Sequence, residues 1–259
     1  MTNEQTDTEQ TEVTEQPIPD KKGMARFWEI LARDYMNLIS AGGLAMISLL
    51  PLLMGLSFAM ATRSVAVLVI VGMLGGMIAA PQVAGLYDTV LRSLRNEPFL
   101  WWMTYKQAWK DNFRCSLLPG ALIGLVGVLQ AFALQVLPFD RLPMWNIVVY
   151  LISVLLTVCL SHLMFMQLPL MELRFGVLFR NAVMLLVRFL PKVLLTGLMC
   201  IGYCLLCLCS MPAGILIFLI FNIWFPVLAG TMMCYGKINE VFQIESRLAE
   251  KAGGTAENP

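Results

Sequence analysis

The chain is built from long apolar blocks separated by short polar segments. Each block approaches the roughly 20 residues that an α-helix needs to cross about 30 Å of hydrocarbon. Charged residues make up only 14% of the chain, whereas a soluble domain carries roughly a quarter. We therefore predict an all-α fold, a polytopic membrane helical bundle of about six transmembrane spans with amphipathic cytoplasmic elbow helices. The six spans are expected at about residues 38–61, 65–90, 117–137, 144–170, 193–209 and 213–235.

The basic residues lie on alternate connections between these spans. Sixteen of the 18 fall before span one, in the elbows after span two (92–116) and after span four (174–190, with the lysine that follows it), and after span six. The opposite connections carry only Arg63 and Arg141. Because Lys and Arg are concentrated in the cytoplasmic loops of membrane proteins, this segregation predicts that both termini face the cytoplasm.

The polar ends of the chain are expected to flank the membrane domain. Residues 1–20 contain six acids and no base, the reverse of a signal peptide, and predict a disordered acidic tail. Residues 21–36 are basic and aromatic and predict an amphipathic lead-in helix along the membrane surface. The transmembrane domain is expected over 37–236, with Pro226 kinking span six. Residues 237–259 are expected to form a cytoplasmic C-terminal tail.

The longest polar interruption, Arg92 to Ser116, holds three of the six tryptophans. The three-then-four spacing of one helix face is followed by Phe99, Trp102, Lys106, Trp109 and Phe113. We predict a helix that lies flat at the membrane surface. Two interpretations remain open, a loop anchor in the headgroup layer and a docking helix for a cytoplasmic partner. The residues expected to contact the partner or lipid are Trp102, Lys106, Trp109, Lys110, Phe113 and Arg114.

Polar side chains inside the spans are functional candidates because hydrocarbon makes them costly. Asp88 and Glu172 lie at the cytoplasmic ends of spans two and four, and His162 lies in the middle of span four. The plainer interpretation pairs Asp88 with Arg92 and Glu172 with Arg174 at the headgroup level. For His162 it is a hydrogen bond to a neighbouring helix. Asp88, His162 and Glu172 are thus the candidate intramembrane polar residues.

Enzyme motifs are not found in the chain. It has no Gly-rich phosphate loop, no Gly-x-Ser-x-Gly and no His-Glu-x-x-His, and a single histidine excludes His-based metal sites. Six of the seven cysteines lie in or at the ends of apolar segments, where packing is a better interpretation than metal ligation. We expect no enzymatic activity, no cofactor, no metal and no nucleic-acid partner.

Spans two and three each carry glycines four residues apart. These are Gly72 and Gly76 in one span and Gly120 and Gly124 in the other. Small residues at this spacing let helix backbones approach closely. The pattern permits self-association of the protein through these glycines.

The region from Pro81 to Arg114 resembles the YesL-like family of small bacterial integral membrane proteins. Its members show a proline near the end of an early span, a Gly/Ala–Leu–Tyr stretch, an arginine before a Gly/Glu turn, and an aromatic segment with Lys and Asn-Phe. The matching positions are Pro81, Ala84, Gly85, Leu86, Tyr87, Arg95, Glu97, Tyr105, Trp109, Lys110, Asn112 and Phe113. The apolar stretch at 56–79 departs from the family pattern. The resemblance implies a bacterial plasma-membrane protein of unassigned activity, with a role near carbohydrate transport.

These features together favour a non-enzymatic accessory subunit, permease-like or regulatory, that is associated with bacterial solute transport. Its first elbow would contact membrane lipid and a cytoplasmic or membrane component of the transport system. One alternative is a self-sufficient secondary carrier or channel for a small solute. Another is a lipid-binding membrane scaffold that depends on anionic lipid.

Overall fold

A computed structural model describes residues 23–97, 100–138, 142–171, 173–210 and 213–244. The described residues contain helices and no strand. The helices are α1 Met24–Thr62, α2 Val65–Arg95, α3 Trp101–Val136, α4 Met144–Gln167, α5 Phe175–Arg188, α6 Leu190–Cys209, α7 Ala213–Phe221 and α8 Trp224–Phe242. Five of them are long and apolar enough to cross a membrane, and the bent pair of α7 and α8 supplies a sixth crossing if it forms one span. The predicted all-α, multi-pass membrane bundle is confirmed.

Helix α1 joins the predicted lead-in and span one into a single helix of 39 residues, about 58 Å long at 1.5 Å per residue. The predicted lead-in is therefore not a separate helix but the first part of α1. No glycine or proline interrupts the chain between Met24 and Ala41, so nothing makes the helix turn there. The acidic tail at 1–20 and the chain beyond Ile244 lie outside the described residues.

Helix α3 likewise joins the first elbow and span three into one helix of 36 residues, about 54 Å long. The elbow is therefore not a separate helix, because α3 continues through Pro119. The second elbow differs from the first. It forms the separate amphipathic helix α5, as predicted, and its apolar face (Leu178, Ala182 and Leu185) is fully buried.

The glycines of α2 and α3 face each other where the two helices cross. A Cβ on Gly76 would collide with the carbonyl oxygen of Gly120 and lie 2.9 Å from the Cα of Gly124. A Cβ on Gly72 would lie 2.9 Å from the Cα of Leu125. The predicted close approach is confirmed, but it joins two helices of one chain. These four glycines are therefore already occupied and offer no surface for self-association, contrary to the prediction.

The start of α1 and the end of α2 meet at one end of the bundle, here called the basic end. Arg26 Nη2 donates to the carbonyl of Leu94 (2.8 Å), and Arg33 Nη2 donates to the carbonyl of Ser93 (2.7 Å). The last carbonyls of a helix have no partner within the helix and carry partial negative charge. Two guanidinium groups of α1 therefore cap α2. These contacts hold the start of α1 and the end of α2 together at the end of the bundle where α3 begins.

Span six is broken into α7 and α8, which are bent by 60° relative to each other. The break lies at Asn222 and Ile223, one turn before Pro226, where the kink was predicted. Pro226 has no N–H for the carbonyl of Asn222, and its ring crowds that carbonyl. Asn222 takes a positive φ of 21°. Its Oδ1 accepts from the Trp224 N–H (2.9 Å) and its Nδ2 donates to the Ile39 carbonyl (3.3 Å), so one side chain joins the start of α8 to α1.

Candidate functional site at the basic end

The first half of α3 has three faces with different surroundings. One face packs on α2 through Tyr105 and Ala108, which are both buried. The hydroxyl of Tyr105 donates to Oε1 of Gln82 (2.8 Å), and a Cβ on Gly85 would lie 2.8 Å from the Tyr105 ring. These contacts hold this half of α3 against α2 without using its other two faces.

The second face, here called the aromatic–basic face, is directed away from the core. It consists of Trp102, Lys106, Trp109, Lys110, Phe113 and Arg114, the six residues predicted to contact a partner or lipid. Trp109 is half-buried and the other five are exposed, Trp102 by 57%. At 100° per residue the six fall within an arc of about 140°, with the rings on one side and the cations on the other. None of the six belongs to the core formed by the described residues.

The aromatic–basic face lies on a part of α3 that runs alongside α2. The hydroxyl of Tyr105, on the neighbouring face of the same turns, donates to the backbone carbonyl of Gln82 (3.2 Å) and to its Oε1 (2.8 Å). Gln82 lies 13 residues before the end of α2 at Arg95, which is about 20 Å along the helix. The first half of α3 therefore lies beside α2 and does not project beyond its end.

The third face of α3 forms part of a cavity of about 780 Å³ at the basic end. One wall is polar and comes from α2 and α3, and the opposite wall is apolar and comes from the chain after α4 and from Ile244 after α8. The polar wall contains Asp88, Arg92, Thr104, Gln107, Asp111 and Asn112, and the apolar wall contains 168–171, Leu173 and Ile244. Of these residues only Asp88 was a predicted site residue, so the cavity is a finding of the tertiary structure.

Asp88 is almost fully buried in the cavity wall, with 5% of it exposed. Nε of Arg92 donates to Oδ2 of Asp88 (2.8 Å), and Nη1 of Arg92 donates to Oε2 of Glu97 (3.1 Å). Arg95 Nε donates to Oε1 of Glu97 (2.6 Å). The predicted Asp88–Arg92 pair is confirmed, as part of a network of four charged groups. Glu172, the other predicted carboxylate, lies outside the described residues.

His162 lies inside the bundle and is not among the residues that line the cavity. Its Nδ1 is 2.8 Å from the hydroxyl of Tyr87 on α2, so the predicted hydrogen bond to a neighbouring helix is confirmed. The ring also contacts α8, where a Cβ on Gly230 would lie 2.8 Å from the imidazole. The predicted mid-span position is wrong, because α4 ends at Gln167, about 7.5 Å beyond His162.

Two faces of the first half of α3 were missed in the sequence. The same three-then-four spacing is shared by Tyr105, Ala108 and Asn112. The prediction was based instead on the more aromatic face of the same segment. Gln107 Nε2 donates to Oδ1 of Asp111 (2.8 Å), an i,i+4 pair that the sequence does show. The apolar wall of the cavity belongs to a distant part of the chain, and no local signal connects it with α3.

Among the described residues, no group of three or more His, Cys, Asp or Glu side chains is arranged to hold a metal ion. Comparison of the chain with protein-family models, curated proteins and solved structures finds no match. The resemblance to the YesL-like family therefore stays a prediction from residues of α2 and α3. What is established is a multi-pass helical membrane protein with two distinct surfaces at its basic end.

Proposed function

We propose that this protein is a non-enzymatic accessory subunit of a bacterial solute-transport system in the plasma membrane, with its basic end and both termini in the cytoplasm. Its aromatic–basic face docks a protein partner of that system. The YesL-like resemblance favours carbohydrate as the solute class. The proposal is carried by one observation, an exposed helix face on which aromatic rings lie beside a row of cations.

The composition and exposure of the face favour docking. Trp102 is 57% exposed, and Lys106, Lys110, Phe113 and Arg114 are exposed as well. Exposed aromatic rings beside cations are typical of protein interfaces, in which Trp, Tyr and Arg contribute most of the binding free energy. Tryptophan also anchors membrane proteins at the level of the headgroups, and the triple substitution described next distinguishes the two roles.

Replacing Trp102, Trp109 and Phe113 together by serine is expected to abolish capture of the partner and to leave the bundle folded. Tyr105 and Ala108 keep this half of α3 on α2, so the substitutions remove only binding surface. Affinity purification from native membranes in a gentle detergent, analysed by mass spectrometry, compares the variant with wild type. The specific companion should fall by at least about tenfold, which corresponds to about 1.4 kcal/mol of binding free energy.

The matched control is Trp145→Ser, at the start of α4 on the opposite end of the bundle, where the tryptophan is 65% exposed. Capture should be unchanged in this variant. If the wild-type protein and the triple variant both purify alone, the docking proposal is wrong. If the triple variant fails to accumulate in the membrane, the face acts as a membrane anchor.

The cavity favours a second candidate function, a carrier or channel for a small solute. Its volume of about 780 Å³ lies within the roughly 300–1,000 Å³ of typical ligand pockets. Asp88 contributes a buried carboxylate, and the side chains of Gln107 and Asn112 contribute amides opposite an apolar wall. Such a wall can hydrogen-bond a small polar solute while the apolar side excludes water.

For this second function, liposomes that contain only the purified protein are expected to release an enclosed mixture of neutral mono- and disaccharides, measured by mass spectrometry. Asp88→Asn keeps the side-chain size and removes the charge, and it should slow release by at least about tenfold, because a hydrogen bond to a charged group contributes about 1.5–3 kcal/mol. Glu240→Gln, on the exposed side of α8, should leave release unchanged. Liposomes that retain the whole mixture would exclude a carrier of these solutes.

A further inference from the structure

The aromatic–basic face carries a row of cations without a described partner. Lys106, Lys110 and Arg114 are four residues apart and lie one above another along α3, with about 6 Å between neighbours. The ion pairs found nearby among the described residues use Arg92 and Arg95 instead. The row is therefore a strip of three positive charges about 12 Å long, and Asp111 is the single carboxylate beside it on α3.

The segment of residues 1–20 is complementary in charge to this row. Six of the 17 acidic residues of the chain and none of its 18 basic residues fall in the segment. The acids are Glu4, Asp7, Glu9, Glu12, Glu15 and Asp20. No other stretch of this length in the chain has an equal excess of one charge.

The position of the segment also permits the contact. Arg26, near the start of α1, donates to the carbonyl of Leu94 near the end of α2 (2.8 Å), and α3 begins shortly afterwards at Trp101. Residues 1–20 therefore join the described chain close to the start of α3. Twenty extended residues reach up to about 70 Å, several times the length of the row.

We propose that residues 1–20 bind the row formed by Lys106, Lys110 and Arg114 and cover the aromatic–basic face. Each exposed ion pair is weak by itself, but tethering to the same chain gives the segment an effective concentration on the order of millimolar. Salt weakens the contact, because the Debye length falls from about 10 Å at 0.1 M to about 3 Å at 1 M.

Through this contact, residues 1–20 compete with a partner for the aromatic–basic face. A partner that docks on the face has to displace the acidic segment, so the segment sets the affinity that a partner needs. This regulatory role rests on the proposed function, whereas the contact between the segment and α3 does not. The two are therefore tested by separate measurements.

Carbodiimide coupling of the full-length protein in detergent tests the contact, because this reagent joins a carboxylate to a lysine amine without a spacer. Trypsin releases residues 1–21 as one peptide, since no basic residue precedes Lys21. We expect this peptide to be linked to Lys106 or Lys110 at least about tenfold more often than to Lys192, an exposed lysine of α6. Raising the salt concentration to 1 M should remove most of the linked product.

A charge reversal provides the matched comparison. Arg114→Glu leaves both reactive lysines in place and should reduce the linked product by about threefold to fivefold. Arg174→Glu makes the same change at an exposed arginine just before α5 and should have no effect. Mixing the protein with a ¹⁵N-labelled copy before coupling should give only light–light and heavy–heavy products, which places the contact within one chain.

Equal linking of the peptide to Lys106, Lys110 and Lys192 would overturn the proposal. So would linking that persists in 1 M salt and in the Arg114→Glu variant. Links from Lys106 or Lys110 solely to acids of another protein, in native membranes, would assign the face to an acidic partner and also overturn it. None of these outcomes changes the result of the affinity purification, so the docking function is tested independently of the contact between residues 1–20 and α3.

Discussion

Replacing Gly76 by alanine is expected to destabilise the bundle by about 3 kcal/mol or more, at the upper end of the cost of overpacking. The added methyl group would collide with the carbonyl oxygen of Gly120 and lie 2.9 Å from the Cα of Gly124. Both obstacles are backbone atoms, so no side chain can rotate away and α2 has to move off α3. Thermal unfolding in detergent and the fraction of monodisperse protein on size exclusion measure the loss.

Gly127→Ala provides the control on the same helix pair. Nothing lies within 4 Å of a Cβ at Gly127, and alanine is favoured over glycine inside a helix by up to about 1 kcal/mol. The unfolding temperature of this variant should be equal to or higher than that of wild type. Equal unfolding temperatures for Gly76→Ala and wild type would contradict the close crossing of α2 and α3.

Replacing Asn222 by alanine is expected to cost about 1–3 kcal/mol of stability, the penalty for a buried polar group left without a partner. The substitution removes the acceptor for the Trp224 N–H (2.9 Å) and the donor to the Ile39 carbonyl (3.3 Å). It also places alanine at a positive φ of 21°, where asparagine is better tolerated. Thermal unfolding in the same detergent provides the measurement.

Two adjacent glycines of α1 test the same contact from the other side. A Cβ on Gly42 would collide with Oδ1 of Asn222 and lie 2.9 Å from its Cγ, whereas a Cβ on Gly43 meets nothing within 4 Å. Gly42→Ala should therefore lower the unfolding temperature, and Gly43→Ala should leave it unchanged or raise it slightly. Equal effects of the two substitutions would show that Asn222 does not pack against α1 at the break.

The spans were predicted well because their signal is local. Hydropathy over about 20 residues identifies a crossing whatever surrounds it, and the Asp88–Arg92 pair follows from i,i+4 spacing on one helix.

The two elbows were not predicted equally well. Both are amphipathic, but only α5 became a separate helix, whereas the first elbow continued into span three. Amphipathic spacing predicts a helix and its faces, and it does not predict whether the helix stops at the membrane boundary.

Contacts between distant residues could not be predicted. Sequence spacing identified a face of α3 that is mostly exposed, but the face that packs is the one with Tyr105, because Gly85 on α2 leaves room for its ring. The pairing of His162 with Tyr87 joins residues 75 positions apart. The cavity around Asp88 exists only where α2, α3 and the chain after α4 converge.

The amino-acid sequence by itself determined the class of this protein, its crossings and the accumulation of positive charge at one end, since each depends on composition within one turn or one span. Only the tertiary structure decided that the glycines pack against each other inside the chain, that Tyr105 and not Trp102 faces α2, and that a cavity opens beside Asp88. The physical reason is that residue spacing defines several possible contact faces on each helix. Only close packing against a particular neighbouring helix determines which of these faces is buried.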